Sequence, residues 1–485
     1  MNHNIKPYWQ NYINGQWCDG GAGKLDVCDP STGELIAEQA MADEADVDTA
    51  VMAALRCHES DVLSDMRPVV RGRMVRKIGD YLMDHFEEIA TVLTLESGKP
   101  LWEARIEVAG AARYFEYYGN QAESLEGRSI PLGSSYFDFT VHEPYGVSAQ
   151  VIPWNYPLEM TARSMSTALA TGNACVVKTP ELDPLSNHYL AKAAEFAGFP
   201  DGAVNILCGY GHTAGAALVE HEEVRQIVFT GSVATGISIA TAAARNVVPC
   251  ILELGGKSAA VVYPDTDMDL LVDSVRWGIF YNAGQVCSAM SRLIVHEDIH
   301  DEVLERLISM TSGLSTGPGI DLDEMGPNMG AMISEKQRDN AVAMCAQAEA
   351  EGGRISIGGK AIDRPGWFFE PTIISEVQQS QTIAQEEVFG PVLSVLKFKQ
   401  DEEAVKMANA TQYGLVSGVF TRDLDRAMTT ARKLRAGQVY VNEWYAGGVE
   451  TPFGGYGKSG YGRERGREAL NNYVHTKNIA VALKS

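Results

Sequence analysis

The chain has 485 residues, 45% of them hydrophobic, and its 40 Lys and Arg against 63 Asp and Glu give a formal charge of −23. That length and apolar content can bury a large core, which excludes a disordered chain and, at roughly 150 residues per domain, implies two to three domains. The acidic field repels phosphate backbones and anionic membranes, no apolar run reaches the roughly 18 residues of a membrane span, and the opening MNHNIKPYWQNYINGQW is too polar for a secretory signal, so a cytoplasmic protein without nucleic-acid or membrane partners is expected.

In chain order, SYFDFTVHEP alternates Phe137, Phe139 and Val141 with polar residues, as a strand does. From Tyr145 to Leu254 short apolar strands (GVSAQVIPW, NACVVKTPE, GAVNILCG, RQIVFTGS) alternate with helical stretches, one of them after Asp183-Pro184. That rhythm predicts a doubly wound parallel sheet, whose ligands sit at the carboxyl ends of its strands. A second α/β domain begins near Gly255 and runs to about Gly457, and YVHTKNIAVAL near the end is another strand-like run. Strands outside both domains need an edge to pair with. The eight cysteines stand singly, without CxxC pairs, which argues against a zinc site or a disulfide scaffold and leaves each as core packing or a reactive thiol.

Four motifs occur together: PWNYP (153–157), FTGSVATG (229–236), LELGGKS (252–258) and GQVC (284–287). KTPE (178–181), EEVFGPV (386–392) and PFGGYGKSGYGRERG (452–466) extend the pattern over nearly the whole chain. In these seven motifs, in this order, the sequence resembles the aldehyde dehydrogenase superfamily. The resemblance implies an α/β fold in three parts: a Rossmann-like NAD-binding domain (1–122 and 145–255), an α/β catalytic domain (256–458), and a small bridging β-sheet for oligomerisation (123–144 and 465–485). A homodimer or homotetramer is implied with it.

The implied reaction is oxidation of an aldehyde to its acid. A bare carbonyl carbon holds its hydrogen too tightly to release a hydride, so a nucleophile must add first. A thiolate is suited to this, because it attacks near neutral pH and leaves a thioester that water can cleave. Cys287 matches the family's nucleophile, Asn155 its oxyanion donor beside the backbone N–H of Cys287, and Glu253 the base that hydrolyses the thioester. The cofactor is expected to be NAD, with NADP as a weaker alternative because Glu181 would repel a ribose 2′-phosphate. By resemblance Lys178 and Glu181 reach the adenine ribose, and Gly231, Ser232 and Gly236 form the pyrophosphate turn. Glu387 binds the nicotinamide ribose, Trp154 and Phe389 flank the ring, and Ile152 and Leu254 complete the cofactor set. No metal is expected.

For the substrate, Arg163 stands eight residues beyond Asn155, where relatives for simple aldehydes carry an aromatic residue and semialdehyde dehydrogenases an arginine. A tunnel-facing guanidinium there implies an aldehyde with a carboxylate or sulfonate at its far end, and a hydroxybenzaldehyde-type aromatic aldehyde is the alternative. Against this, Arg163 could pair with Glu159, one helical turn back. Tyr156, Tyr281, Trp444 and Tyr445 are expected as substrate-binding residues, most of them as aromatic walls.

Overall fold

The computed structural model describes residues 5–483. Its first sheet has eight strands, in the spatial order Gly460–Tyr461, Cys250–Leu254, Gln226–Gly231, Val147–Val151, Ala174–Thr179, Val204–Cys208, Asn11–Ile13, Gln16–Cys18. The five central strands are parallel, and the edges are antiparallel. Val147–Val151 is the first of these five in the chain, and the order runs outward from it both ways. The switch of direction therefore falls between it and Gln226–Gly231, where their carboxyl ends leave a crevice. Val147–Val151 is buried at every position, as expected for a parallel strand covered on both faces.

The second sheet has seven strands, ordered Arg354–Ile357, Thr372–Ser375, Val392–Phe398, Arg292–His296, Ala259–Val262, Val416–Phe420, Gln438–Val441, all parallel except the first. The third joins the two outlying segments: Tyr136–Pro144 pairs antiparallel with Val474–Ala482 over nine residues, and Ser129–Ile130 adds to its other side. A further small sheet of Tyr8–Trp9, Leu35–Ala40 and Lys24–Cys28 has no counterpart in the sequence expectations. The expected helix after Asp183-Pro184 starts with a 3₁₀ turn, Leu185–Asn187, and becomes α-helical from His188 to Ala197.

The second sheet is tied together near its centre by a buried cation. Arg292 is fully enclosed and donates to the carbonyls of Lys257 (2.9 Å), Met407 (2.9 Å) and Ala408 (2.8 Å). The last two end the helix Asp401–Ala408, so the guanidinium satisfies carbonyls that have no partner within the helix and sits at the negative end of its dipole. Burial pulls its pKa down to about 9. Arg292→Met should therefore lower unfolding stability by about 3 kcal/mol or more, since the buried carbonyls of Lys257 and Ala408 lose their donor and Met407 O is left with the Ala410 N–H. Urea titration followed by tryptophan fluorescence measures this, and a loss below about 1 kcal/mol would mean that water replaces the guanidinium at no cost.

Candidate active site

The crevice is where the local motifs meet. After Val147–Val151 the chain stays in the ladder for one more residue, Ile152 N donating to Lys178 O at 3.1 Å, and then turns through Trp154 and Asn155 into the helix Pro157–Thr171. Asn155 is buried and donates its side-chain N–H to Gln285 O at 3.0 Å. Its own carbonyl accepts from Lys99 Nζ (3.0 Å) and Asn282 Nδ2 (2.9 Å). An amide has two N–H donors, so one remains for a ligand.

Opposite stands the segment that carries the thiol. Asn282 (φ 49°), Ala283 (φ 51°) and Gly284 (φ 69°) are all left-handed, a conformation that costs a non-glycine residue about 1–2 kcal/mol. Gly284 is required, since a Cβ there would collide with the Gly390 carbonyl. The run is held by Glu103, which accepts from Asn282 N (2.9 Å), and by Gln285, which donates to Asn282 O (3.2 Å) and accepts from Ile333 N (3.0 Å). Cys287 follows, half-buried, its backbone carbonyl lying so close to Gly256 that a Cβ there would meet it at 2.6 Å. Burial pushes the thiol up to about 11, with Arg163 opposing.

Glu253, second to last in Cys250–Leu254, is buried with neither carboxylate oxygen hydrogen-bonded. It leans towards Gly454, where a Cβ would stand 2.9 Å from Oε1. Burial holds its carboxyl well above the ordinary carboxylate range, with Arg163 the chief opposing charge. Arg163 itself departs from expectation. It pairs with Glu464 and not with Glu159, and Nη2 donates to Thr230 Oγ1 at 3.0 Å. Both partners of this ion pair are almost completely enclosed, and a guanidinium so engaged is not a free anion receptor.

The residues expected to hold the dinucleotide surround the same crevice. Ser232 is the N-cap of the helix Val233–Arg245, accepting from Thr235 N at 3.2 Å, and this end of the helix is exposed. A Cβ at Gly231 would meet the Phe229 ring and one at Gly236 would meet Leu254 at 2.5 Å, so strand and helix approach closely here. Lys178 pairs with Glu181 at 2.8 Å on the rim. Glu387 accepts from Gly256 N at 2.9 Å, and burial raises its carboxyl to about 7. Trp154 and Phe389 meet edge to face at 5.2 Å, the left-handed Phe389 (φ 56°) being held by Gln337 Nε2 on its carbonyl at 2.9 Å. A capped helix N-terminus, a carboxylate on a Gly-Gly turn and two rings form a donor set that fits a dinucleotide.

Tyr156, Tyr281 and Tyr445 do come together, with ring centroids 6.4 Å apart for the first pair and 6.3 Å for the second. Trp444 instead packs over Gly278 and Gly418 and donates to Ser288 O at 3.1 Å, supporting the loop after the thiol from behind. Several residues were missed. Lys99 and Glu107 form an enclosed ion pair, and Glu107 also accepts from Leu158 N (3.1 Å) and Glu159 N (3.2 Å) at the start of the Asn155 helix. The signal existed: Glu103 and Glu107 lie four apart on the same face as Ala104, Val108 and Ala111, an apolar face where unpaired carboxylates would be costly. Tyr114, Phe453, Glu464 and Arg465 also belong to these surroundings, the last three inside the motif PFGGYGKSGYGRERG.

Comparison with known proteins agrees with this geometry. The family model "Aldehyde dehydrogenase family" matches residues 17–479. Retinal dehydrogenase 2 of Homo sapiens is 39% identical over 481 residues, covering 98% of this chain and 92% of that protein. A mitochondrial aldehyde dehydrogenase of Arabidopsis thaliana, family 2 member B4, is 41% identical over 477 residues, covering 98% and 88%. Among solved structures, the NAD+ complex of aldehyde dehydrogenase from Bacillus cereus superposes with a TM-score of 0.97 at 36% identity, covering all of both chains. An indole-3-acetaldehyde dehydrogenase with NAD+ gives 0.97 at 36% identity, covering 99% and 98%. Matched along nearly its whole length in sequence and in fold, the chain belongs to the aldehyde dehydrogenase family, and its chemistry is the NAD-dependent oxidation of an aldehyde.

Proposed function

We propose that oxidation proceeds through a covalent thioester on Cys287, hydrolysed with Glu253 as general base. The observation that supports this best is the meeting, at one crevice, of a thiol on a clamped turn, an amide with an unused N–H, and a buried carboxylate without hydrogen bonds. Addition of the thiolate to the aldehyde places negative charge on the carbonyl oxygen. Asn155 and the Cys287 backbone N–H receive that charge, and a fixed donor of this kind contributes about 3 kcal/mol to such a step. Lys178, Glu181, Gly231, Ser232, Gly236 and Glu387 would hold NAD, with Ile152, Trp154, Leu254 and Phe389 as its walls, and the bound dinucleotide would supply the hydride acceptor. The acyl group is then carried on Cys287, and Glu253, as carboxylate, takes the proton of the water that attacks it. Glu181 reserves Lys178 for itself and repels a 2′-phosphate, which supports preference for NAD over NADP.

For the substrate, the aromatic walls Tyr156, Tyr281 and Tyr445 support an arylaldehyde, and the ion pair of Arg163 with Glu464 removes the basis for placing an anion there. The exposed Tyr136, Phe137 and Val481 on the third sheet support assembly with further copies of the chain.

Cys287→Ser should abolish NADH production by at least about a thousandfold while NAD still quenches tryptophan fluorescence with wild-type affinity. Retained turnover in the purified variant would sink the mechanism. Glu253→Gln should leave a stoichiometric burst of NADH and slow the steady state that follows. Loss of the burst as well would assign Glu253 to an earlier step. In the cofactor-free protein, alkylation of Cys287 by iodoacetamide should rise about tenfold per pH unit between pH 7 and 10, because a thiol pushed up to about 11 gains thiolate throughout that range. A plateau reached below pH 8 would contradict it.

A further inference from the structure

We infer that Arg465, and not Arg163, is the anion receptor of the substrate tunnel, and that the chain takes an aldehyde bearing a carboxylate at the end remote from its carbonyl. The inference rests on the reading of Cys287 as the nucleophile and adds the substrate class to it.

The two arginines differ in what they already hold. Arg163 is enclosed, with its charge spent on Glu464 and a further N–H on Thr230. Arg465 stands two residues before Arg467 in GRERGRE, in the left-handed region (φ 60°) and followed by Gly466 in the same region (φ 61°). Its guanidinium lies 5.9 Å from the Tyr114 ring and 5.0 Å from the Phe453 ring. Nε is buried and has no hydrogen-bond partner. Among the described residues the carboxylate within ion-pair distance is Glu159, whose Oε1 is 3.6 Å from Nη2, beyond hydrogen-bond reach, and the Arg465 side chain keeps 24% of its surface open. A backbone conformation that is costly for arginine thus turns the side chain inward, between two rings, with most of its donors unspent. Arg465 also belongs to the wall of the site: its chain neighbour Glu464 holds Arg163, and the Phe453 ring it lies against precedes Gly454, where a Cβ would stand 2.9 Å from Glu253 Oε1.

An arene with a carboxylate fits these surroundings. Its ring would lie against tyrosines and its anion would meet a planar fork that binds carboxylates bidentately. A neutral aldehyde leaves the buried Nε donor unpaired, and so is penalised.

The test compares kcat/KM, at saturating NAD, for 4-carboxybenzaldehyde against benzaldehyde and for succinic semialdehyde against butanal. In the wild type the charged member of each pair should be favoured. Arg465→Gln should lower the charged-to-neutral ratio by about tenfold or more, chiefly through KM, with Arg465→Lys in between. Glu159→Gln should raise the ratio, because it removes the anion that competes for the same guanidinium. A general loss of structure would lower both members alike and would not raise the ratio in any variant. If the wild type oxidises all four aldehydes and neither substitution moves the ratio by more than about twofold, Arg465 is not the receptor and the inference is overturned. If the wild type oxidises none of the four, the reading of Cys287 as an aldehyde nucleophile fails first, and this inference with it. Should Arg465→Gln not fold, the lysine and Glu159 variants decide the question by the same ratio.

Discussion

The structure of the site depends on three consecutive left-handed residues. Asn282, Ala283 and Gly284 hold a conformation that two of them adopt only at a cost, and Cys287 is where it is because they do. Such a turn persists only if its surroundings over-determine it. Glu103 holds the Asn282 N–H, Asn282 in turn holds the Asn155 carbonyl, and the Asn155 amide closes on Gln285. Lys99 joins that carbonyl to Glu107, and Glu107 caps the helix that Asn155 precedes. Cys287 and Asn155 are therefore not positioned independently. They share one buried polar network, fixed from the far side by a single face of the helix Leu101–Gln121. The network is costly, since burial raises Glu103 to about 8, and a site with a less demanding task would be packed with apolar side chains instead.

What the sequence made legible follows from the range of each interaction. Cys287, Asn155, Glu253 and the glycine turn at 231–236 lie in runs whose meaning is local, at strand ends and turns, and the alternation from Tyr145 to Leu254 sufficed to predict a doubly wound sheet. The residues that support them act across long separations. Asn282 meets Glu103 and Arg163 meets Glu464, and no periodicity announces either pair. For Arg163 the local expectation, Glu159 one turn back, lost to a distant one. The guanidinium is almost completely enclosed, and a carboxylate as deeply buried compensates it better than the partly exposed Glu159. The edge strand Gly460–Tyr461 and the strand Tyr8–Trp9 are two residues each, too short to carry an alternation.

Burial also separates the work of the two arginines. A cation behind the strand ends favours the charged forms of both Cys287 and Glu253, the states that the proposed mechanism requires, and Arg163 is the largest such influence on each. It does this while paired, because Glu464 fixes its place without removing its field. An arginine bound so firmly cannot also release its partner for every incoming substrate, since breaking an enclosed pair leaves two uncompensated charges. Recognition of a substrate anion needs a cation whose present partner is weak. Arg465 meets that condition: Glu159 stands beyond hydrogen-bonding distance, and two rings take up the faces that a carboxylate would not use. The motif GRERGRE thus places adjacent residues in opposite roles. Glu464 turns in to pair with Arg163, and Arg465, with its left-handed backbone, lies against the rings of Tyr114 and Phe453. Glycine at 466 makes that reversal possible, since a Cβ there would meet Pro452 N at 3.0 Å and the Glu450 carbonyl at 3.2 Å.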